Sequence, residues 1–330
     1  MPVVLLDERR RIVLEHRPIP VPLPDQVLVD VDLCGICGSD LHSPDLPQVY
    51  RGGFVLGHEM SGRIAQMGAD VAGWSAGDRV ALNPNGNVCG VCEHCRAGRL
   101  NFCHLATMET ALGLQADGGL APSVVASPKT LRRVPEGAGR VEAAWVEPTA
   151  TALHALRQAG DVSGATVLVS GGGPIGQLVC RLAAAGDAGR IILVEPAAER
   201  RAFAAASHVD DALTPDEAAS VRADVVLECS GNADATALAL DALDPDGVLV
   251  VVGAGPGSGL DSLRILLKEI TVRGSFTYTD EFDEAIGLLA DGRIAVADLT
   301  TEVVPIGAAL PAFEALRAAR TMKILIDPHG

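Results

Sequence analysis

The sequence predicts an α/β protein of two domains, one β-rich and irregular, the other built on a doubly wound parallel sheet. Three observations carry that prediction. Residues 1 to about 145 hold short apolar runs separated by proline and glycine turn signals. From Thr149 onward, continuous apolar runs alternate with alanine-rich stretches of helical character. A glycine-rich loop falls where the first of those runs gives way to the first of those helices. The expected boundaries are 1–148 with 278–330 for the β-rich domain, and 149–277 for the sheet. At 330 residues the chain is long enough for each domain to bury its own core.

Taken in order, residues 26–33 and Ser123–Ala126 read as strands of the first domain, with turns at Gly52-Gly53 and Gly118-Gly119. Residues 166–169, 191–194, 225–227 and 248–252 are apolar without alternation, which suits strands covered on both faces. Between them, 175–185 and 199–206 read as helices, so successive strands should run parallel through right-handed crossovers. Glu281–Ala290 and 311–320 read as two further helices, and 323–326 as a last apolar strand. The run 247–252, with Gly274-Ser275-Phe276, reads as an apolar sheet edge.

Composition narrows the function. Hydrophobic residues at 48% against 21% charged describe a folded soluble chain. A net charge of −16 repels phosphate backbones and argues against nucleic acid as a partner. No run of eighteen uncharged apolar residues occurs, so no membrane span is expected. The opening MPVVLLDERRR sets apolar residues before basic ones, the reverse of a secretory signal, so a cytoplasmic enzyme is the expectation.

Four of the eight cysteines, Cys89, Cys92, Cys95 and Cys103, follow the spacing C-x2-C-x2-C-x7-C. Four thiolates that close together can surround one tetrahedral Zn²⁺ with no open position, which makes a structural site in a lobe at about 85–105. A disulfide cluster lacks a secretory context. An iron–sulfur cluster shares the first three cysteines, but its run continues x3-C-P, and here the fourth cysteine comes later and precedes His104.

Gly171, Gly173 and Gly176 form G-x-G-x-x-G, with Pro174 and Ile175 inside it, after a strand and at the start of a helix. That context is what dinucleotide binding demands. The first glycine permits the turn, the second lets backbone approach the pyrophosphate, and the third lets helix pack on strand. Glu195 stands nineteen residues past Gly176, at the end of the second strand, where a carboxylate accepts from ribose hydroxyls and repels a 2′-phosphate. NAD is therefore expected over NADP. Arg200 and Arg201 are the counter-case, since an arginine nearby accommodates that phosphate.

Two further motifs precede the cysteine lobe: Cys34-Gly35-Ile36-Cys37-Gly38-Ser39-Asp40-Leu41-His42 and Gly57-His58-Glu59-Met60-Ser61-Gly62. With Gly77-Asp78-Arg79-Val80, the cysteine lobe, the glycine loop and Gly274-Ser275-Phe276, they resemble the zinc-dependent medium-chain dehydrogenase/reductase family. The resemblance covers nearly the whole chain. Within the family it points to the sorbitol, threonine and butanediol dehydrogenase branch, because Glu147-Pro148 stands where horse-liver-type alcohol dehydrogenases have a third-ligand cysteine.

The resemblance implies a GroES-like catalytic domain and a Rossmann NAD-binding domain. It implies two zinc ions per chain, the catalytic one on Cys37 and His58. Glu59 and Glu147 are both candidates for the further ligand, and the two remain open. One thiolate and one carboxylate would neutralise the divalent ion. The implied reaction moves a hydride between a secondary alcohol, of polyol, cyclitol or amino-alcohol type, and NAD(P), giving the ketone. Ser39 would take the alcohol proton and pass it by way of the nicotinamide ribose to His42. A homodimer or homotetramer is implied.

On the remaining residues, Cys34 reads as a small packing residue and Asp40 as a turn or capping residue. Only fourteen residues separate His42 from Gly57, so the substrate-contacting loop of the family is short here. Two Trp, two Tyr and six Phe favour a polar substrate over a large aromatic one. The rival readings are an NADPH-preferring carbonyl reductase and a non-catalytic NAD-binding protein on the same fold.

Overall fold

Valine-rich alternation in strand Val27–Gly35 organises the first sheet: Val27, Val29 and Val31 are buried, while Asp30 takes the exposed position between them. The computed structural model describes residues 1–253, 255, 260–319 and 321–330, apart from the side chains of 205 and 206. Its contacts divide the chain into two units, Met1–Glu147 with Phe282–Gly330, and Pro148–Glu281.

In the first unit the sheet runs in the order Thr300–Pro305, Lys323–Asp327, Val27–Gly35, Glu59–Met67, Arg79–Leu82, Leu131–Arg133, with Ser123–Ala126 also paired to Val27–Gly35. The Thr300–Pro305 and Lys323–Asp327 pair is parallel and the other pairings are antiparallel. Its apolar face packs into one core with Tyr50, Leu120, Phe313 and Leu316. Two registers matter for the site. Gly35 lies opposite Glu59 on one side and opposite Leu325 on the other. The end of one strand, the start of its neighbour and the last strand therefore meet at one place.

The second unit is a six-stranded sheet, every neighbouring pair parallel, in the order Asp211–Leu213, Arg190–Val194, Thr166–Ser170, Ala223–Glu228, Leu243–Val251, Thr271–Gly274. The order reverses direction between Thr166–Ser170 and Ala223–Glu228. That is the switch point at which such sheets bind ligands, beyond the carboxyl ends of the strands.

Several elements differ from their sequence readings. The helix expected at 199–206 runs as α-helix only over Ala198–Arg201, then tightens to a 3₁₀ segment, Ala202–Ser207, that ends at left-handed His208. The helix expected at 311–320 is Ala309–Arg317, with Pro311 in its first turn where proline costs no hydrogen bond; Arg320 lies outside the described residues. The run 247–252 is not an edge, because strand Leu243–Val251 has partners on both sides. The edge is Thr271–Gly274, too short and too polar for its sequence to signal a strand. Among the described residues, no helix is long and apolar enough to cross a membrane.

Candidate metal centres and dinucleotide loop

Cys37 closes the chain's exit from Val27–Gly35 and caps the short helix Gly38–Leu41. His58 and Glu59 lie at the start of Glu59–Met67, so the strand register delivers all three side chains to one point. Their ligand atoms lie within 4.8 Å of one another. Glu147, the other carboxylate candidate, is not part of that group among the described residues. His58 and Glu59 are buried, and His58 Nδ1 faces the Asp40 carboxylate at 3.4 Å without a well-directed hydrogen bond among the described residues. Burial works against a charged imidazole, yet the Asp40 carboxylate and the Cys37 sulfur hold His58 well above the ordinary histidine pKa. An electronegative pocket that pulls a proton onto histidine is one that a divalent cation would occupy in its place. The donor set, one sulfur, one imidazole and one carboxylate, fits catalytic zinc with a position left open.

Glu59 has a partner that the sequence reading missed. Lys323 Nζ forms an ion pair with Glu59 Oε2, donates to the Ile36 carbonyl at 3.1 Å, and stands over the Trp145 ring, 5.4 Å from its centroid. Burial disfavours the ammonium, but Glu59 and Cys37 raise its pKa, with a smaller contribution from half-buried Glu147. This corrects the simple charge balance of one thiolate and one carboxylate. Lys323 already offsets Glu59, and buried Asp40 supplies the further negative charge. Three anionic groups, Cys37, Asp40 and Glu59, then face Lys323 and a divalent ion without net charge, as a buried cluster requires. Lys323 was legible only as the first residue of an apolar strand. A lysine opening such a strand is a weak signal until its register is known.

Asp40 does cap, accepting from the Cys37 amide through Oδ2 at 3.0 Å, as its sequence reading expects. It is also fully buried, 3.4 Å from His58 Nδ1 through Oδ1, and the Tyr50 hydroxyl donates to the same oxygen at 3.0 Å. A carboxylate behind a ligand histidine fixes its tautomer and ring orientation. The Ser39 hydroxyl is 3.2 Å from Cys37 Sγ and 2.7 Å from the Tyr50 hydroxyl. His42 is exposed, and its amide donates to the Ser39 carbonyl at 3.1 Å, while the Ser39 hydroxyl is directed at Cys37 and Tyr50. Cys34 is fully buried beside Gly57.

The four-cysteine lobe forms a second constellation. The sulfurs of Cys89, Cys92, Cys95 and Cys103 lie within 4.8 Å of one another. Backbone amides are aimed at three of them: Cys92 N at Cys89, Cys95 N at Cys92, and Cys89 N at Cys103, at 3.3 to 3.4 Å. The Val91 and Cys92 amides bring the Cys89 thiol down to about 6. Cys89 and Cys95 sulfurs stand 3.8 Å apart, well beyond a disulfide length of about 2 Å. Four close sulfurs with amides directed at them fit a closed tetrahedral zinc shell.

In the second unit, Gly171 follows Thr166–Ser170 with φ +103°, and a side chain at Gly176 would overlap the Gly171 carbonyl oxygen. Gly173 has open space where a Cβ would project. Pro174 and Ile175 begin the helix Pro174–Ala185, and no side chain caps it. Its first amides are therefore free for a phosphate. Glu195 is buried. One carboxylate oxygen accepts from Gly172 N at 2.8 Å and the other from Ala197 N at 2.8 Å, which fixes it beside the loop. Gln177, fully buried, donates to the Gly172 and Arg200 carbonyls, and Ser207 donates to it in turn. A glutamine inside an apolar helix was the available signal for this brace. Arg201 spends its guanidinium on the Glu195 and Pro196 carbonyls, whereas Arg200 Nε has no partner.

Residues 23–136 match the alcohol dehydrogenase GroES-like domain, and residues 174–291 match the zinc-binding dehydrogenase domain. D-xylulose reductase A of Aspergillus niger is 33% identical over 343 aligned positions, covering 98% of this chain and 95% of that protein. A Sinorhizobium meliloti protein crystallised with NADP has 30% identity and a TM-score of 0.91, covering 99% of both chains. Galactitol-1-phosphate dehydrogenase of Escherichia coli has 26% identity and a TM-score of 0.89, covering 99% of this chain and 100% of that one.

Proposed function

The chain belongs to the zinc-dependent medium-chain dehydrogenase/reductase family, and on that premise we propose that it oxidises a secondary alcohol of polyol type to the ketone with NAD. The convergence of Cys37, His58 and Glu59 within 4.8 Å, beside a hydroxyl 3.2 Å from the cysteine sulfur, carries the reading. Relatives that act on xylulose and galactitol phosphate support a polyol-like substrate.

When bound, zinc would supply Lewis-acid polarisation of the alcohol oxygen and NAD would supply the hydride acceptor. The chain's residues prepare both. Cys37, His58 and Glu59 hold the catalytic ion, Asp40 orients His58, and Lys323 keeps Glu59 balanced. Glu147, at the margin of the cluster, is the exchangeable carboxylate. Ser39 accepts the alcohol proton, and exposed His42 is its outlet to solvent. Cys89, Cys92, Cys95 and Cys103 hold the second ion. Gly171, Gly173 and the first amides of the helix at Pro174, Ile175 and Gly176 receive the pyrophosphate, and Glu195 the adenosine ribose. Residues 1–148 with 278–330 thus form the catalytic domain and 149–277 the cofactor domain.

NAD is preferred because the Glu195 carboxylate is fixed by two amides and cannot swing away from a 2′-phosphate. Arg200, whose Nε has no partner among the described residues, favours the second reading, NADP use in the direction of carbonyl reduction. A screen of NAD⁺ and NADP⁺ reduction across polyols, cyclitols, amino alcohols and simple secondary alcohols, with zinc assayed on the same sample, decides between them. No turnover in either direction with two zincs bound would leave a non-catalytic binding protein.

The protein assembles at least as a dimer, and a tetramer fits the sorbitol-type resemblance. Among the described residues the edge strand Thr271–Gly274 has an unpaired side, and the preceding helix Ser262–Lys268 exposes Leu263, Leu266 and Leu267 at 60%, 69% and 70%. Leu266→Asp should give monomers by light scattering, and a monomeric wild type would refute the assembly. Its place is the cytoplasm, where thiolate metal sites persist without oxidation.

A further inference from the structure

We propose that Tyr50 is a positioning residue for the reaction: its phenol sets the direction of the Ser39 hydroxyl, so that Ser39 meets the substrate as an acceptor. The inference rests on the reading of Ser39 as the group that takes the alcohol proton. It comes from proton accounting in a buried chain of three oxygens.

The Asp40 carboxylate only accepts. It takes the Cys37 amide on Oδ2 and the Tyr50 hydroxyl on Oδ1. Tyr50 has one hydroxyl proton, and Asp40 receives it. The Tyr50 oxygen can then only accept from Ser39, 2.7 Å away. The competing destination for the Ser39 proton is the Cys37 sulfur at 3.2 Å, a softer and weaker acceptor. With its proton drawn to Tyr50 before the alcohol arrives, Ser39 keeps its lone pairs free for it; as Ser39 takes the alcohol proton, its own proton leaves the Tyr50 oxygen for the outlet at His42. Without the phenol, the hydroxyl rotor is free to donate to Cys37 or to the substrate oxygen itself, the wrong polarity for removing a proton.

The surroundings show that Tyr50 is placed, not merely accommodated. Its side chain is fully buried in the first unit's core. The segment around it is held by side chains from distant turns. Arg10, in a left-handed conformation in the turn between the paired strands Pro2–Leu6 and Ile12–His16, donates to the Ser43, Pro44 and Tyr50 carbonyls. Gln115 donates to the Val49 carbonyl at 2.6 Å. The short segment between His42 and Gly57 thus serves to carry one phenol to the base of the site.

Tyr50→Phe keeps the ring and removes only the oxygen. We expect kcat to fall about tenfold or more, with the KM for alcohol within about twofold and both zinc ions retained, because orientation of the acceptor is lost while binding is not. Ser39→Ala should fall about a hundredfold. The double variant should be no slower than Ser39→Ala, since Tyr50 acts only through Ser39. A crystal structure of Tyr50→Phe without substrate should show Ser39 Oγ turned from its wild-type position. Wild-type turnover in Tyr50→Phe with a dead Ser39→Ala overturns the positioning role and leaves the Ser39 reading intact. An active Ser39→Ala overturns the Ser39 reading itself. Additive losses in the double variant also overturn the proposal. If Tyr50→Phe does not fold, ring-labelled tyrosine NMR serves instead, because the chain has only two tyrosines. Ser39→Ala should shift the Tyr50 signal and leave that of Tyr278 in place; an unmoved Tyr50 signal refutes the hydrogen bond.

Discussion

Lys323 and Glu59 form an ion pair from which solvent is almost absent, each side chain being 2% exposed. The pair joins the last strand of the first unit to the start of the strand whose first residue, Glu59, is a candidate metal ligand. A buried pair of this kind adds little net stability, but half of it is costly.

Lys323→Met should therefore destabilise the protein by about 3–5 kcal/mol, by leaving Glu59 charged and unpaired. Adding Glu59→Gln to that variant should recover a large part of the loss. Urea unfolding of the metal-free proteins measures both. Equal stability of Lys323→Met and wild type would show that Glu59 finds its compensation elsewhere.

Two ions per chain should be separable by mutation. Cys37→Ala should lose one zinc and all turnover with the fold kept. Cys92→Ala should lose the other and lower the thermal midpoint, since a closed shell contributes folding energy directly. Elemental analysis with circular dichroism reads both outcomes. One zinc in fully loaded wild type would contradict the assignment.

Cofactor choice should depend on Glu195. NAD⁺ should be preferred by tenfold or more, about 1.4 kcal/mol. Glu195→Ser should remove most of that preference, chiefly in the cofactor KM. It should also weaken NAD⁺ binding somewhat, because the Gly172 and Ala197 amides lose their acceptor. Adding Arg200→Ala should then reduce NADP⁺ affinity. Wild type using both cofactors equally would mean that the fixed carboxylate does not face the 2′ position.

Acid should weaken the second unit through Glu281. Burial resists its ionisation, but His154 at 2.8 Å and the Thr279 amide hold its pKa near 2, below the ordinary 4.5. A lowered folded-state pKa gives stability that is complete above about 4.5 and is lost as the pH falls toward 2. The loss should be on the order of 2 kcal/mol. Unfolding free energies measured between pH 6 and 3 should show that slope in wild type and a flatter one in Glu281→Gln. The same slope in both would assign it to other carboxylates.

The parallel sheet was legible because its strands are uniformly apolar and its loop is punctuated by glycine. The clustering of the four cysteines was legible because they are neighbours in sequence. Cys37, His58 and Glu59 were named from local motifs as well. Tyr50 and Lys323 were not, because each acts through a partner that only strand register and loop path bring near. The edge strand was met only at its end, Gly274, for a related reason: Thr271–Gly274 has four residues and no buried one, so little in it marks a strand until Leu243–Val251 lies beside it. Side chains that ligate are written in motifs, and those that balance or orient them are written in topology.

The distance in sequence between Glu59 and Lys323 sets an order of events during synthesis. The candidate ligands Cys37, His58 and Glu59 emerge first, and the whole parallel-sheet unit must follow before the balancing ammonium exists. Until then the half-built site is a cluster of negative charge with no internal counterion, and a divalent metal is the natural occupant. Metal capture should accordingly precede closure of the sheet by the final strand. Ribosome-stalled chains ending before residue 323 should take up zinc and release it to a chelator faster than full-length chains do. Equal release rates would mean that the last strand has no part in retaining the ion.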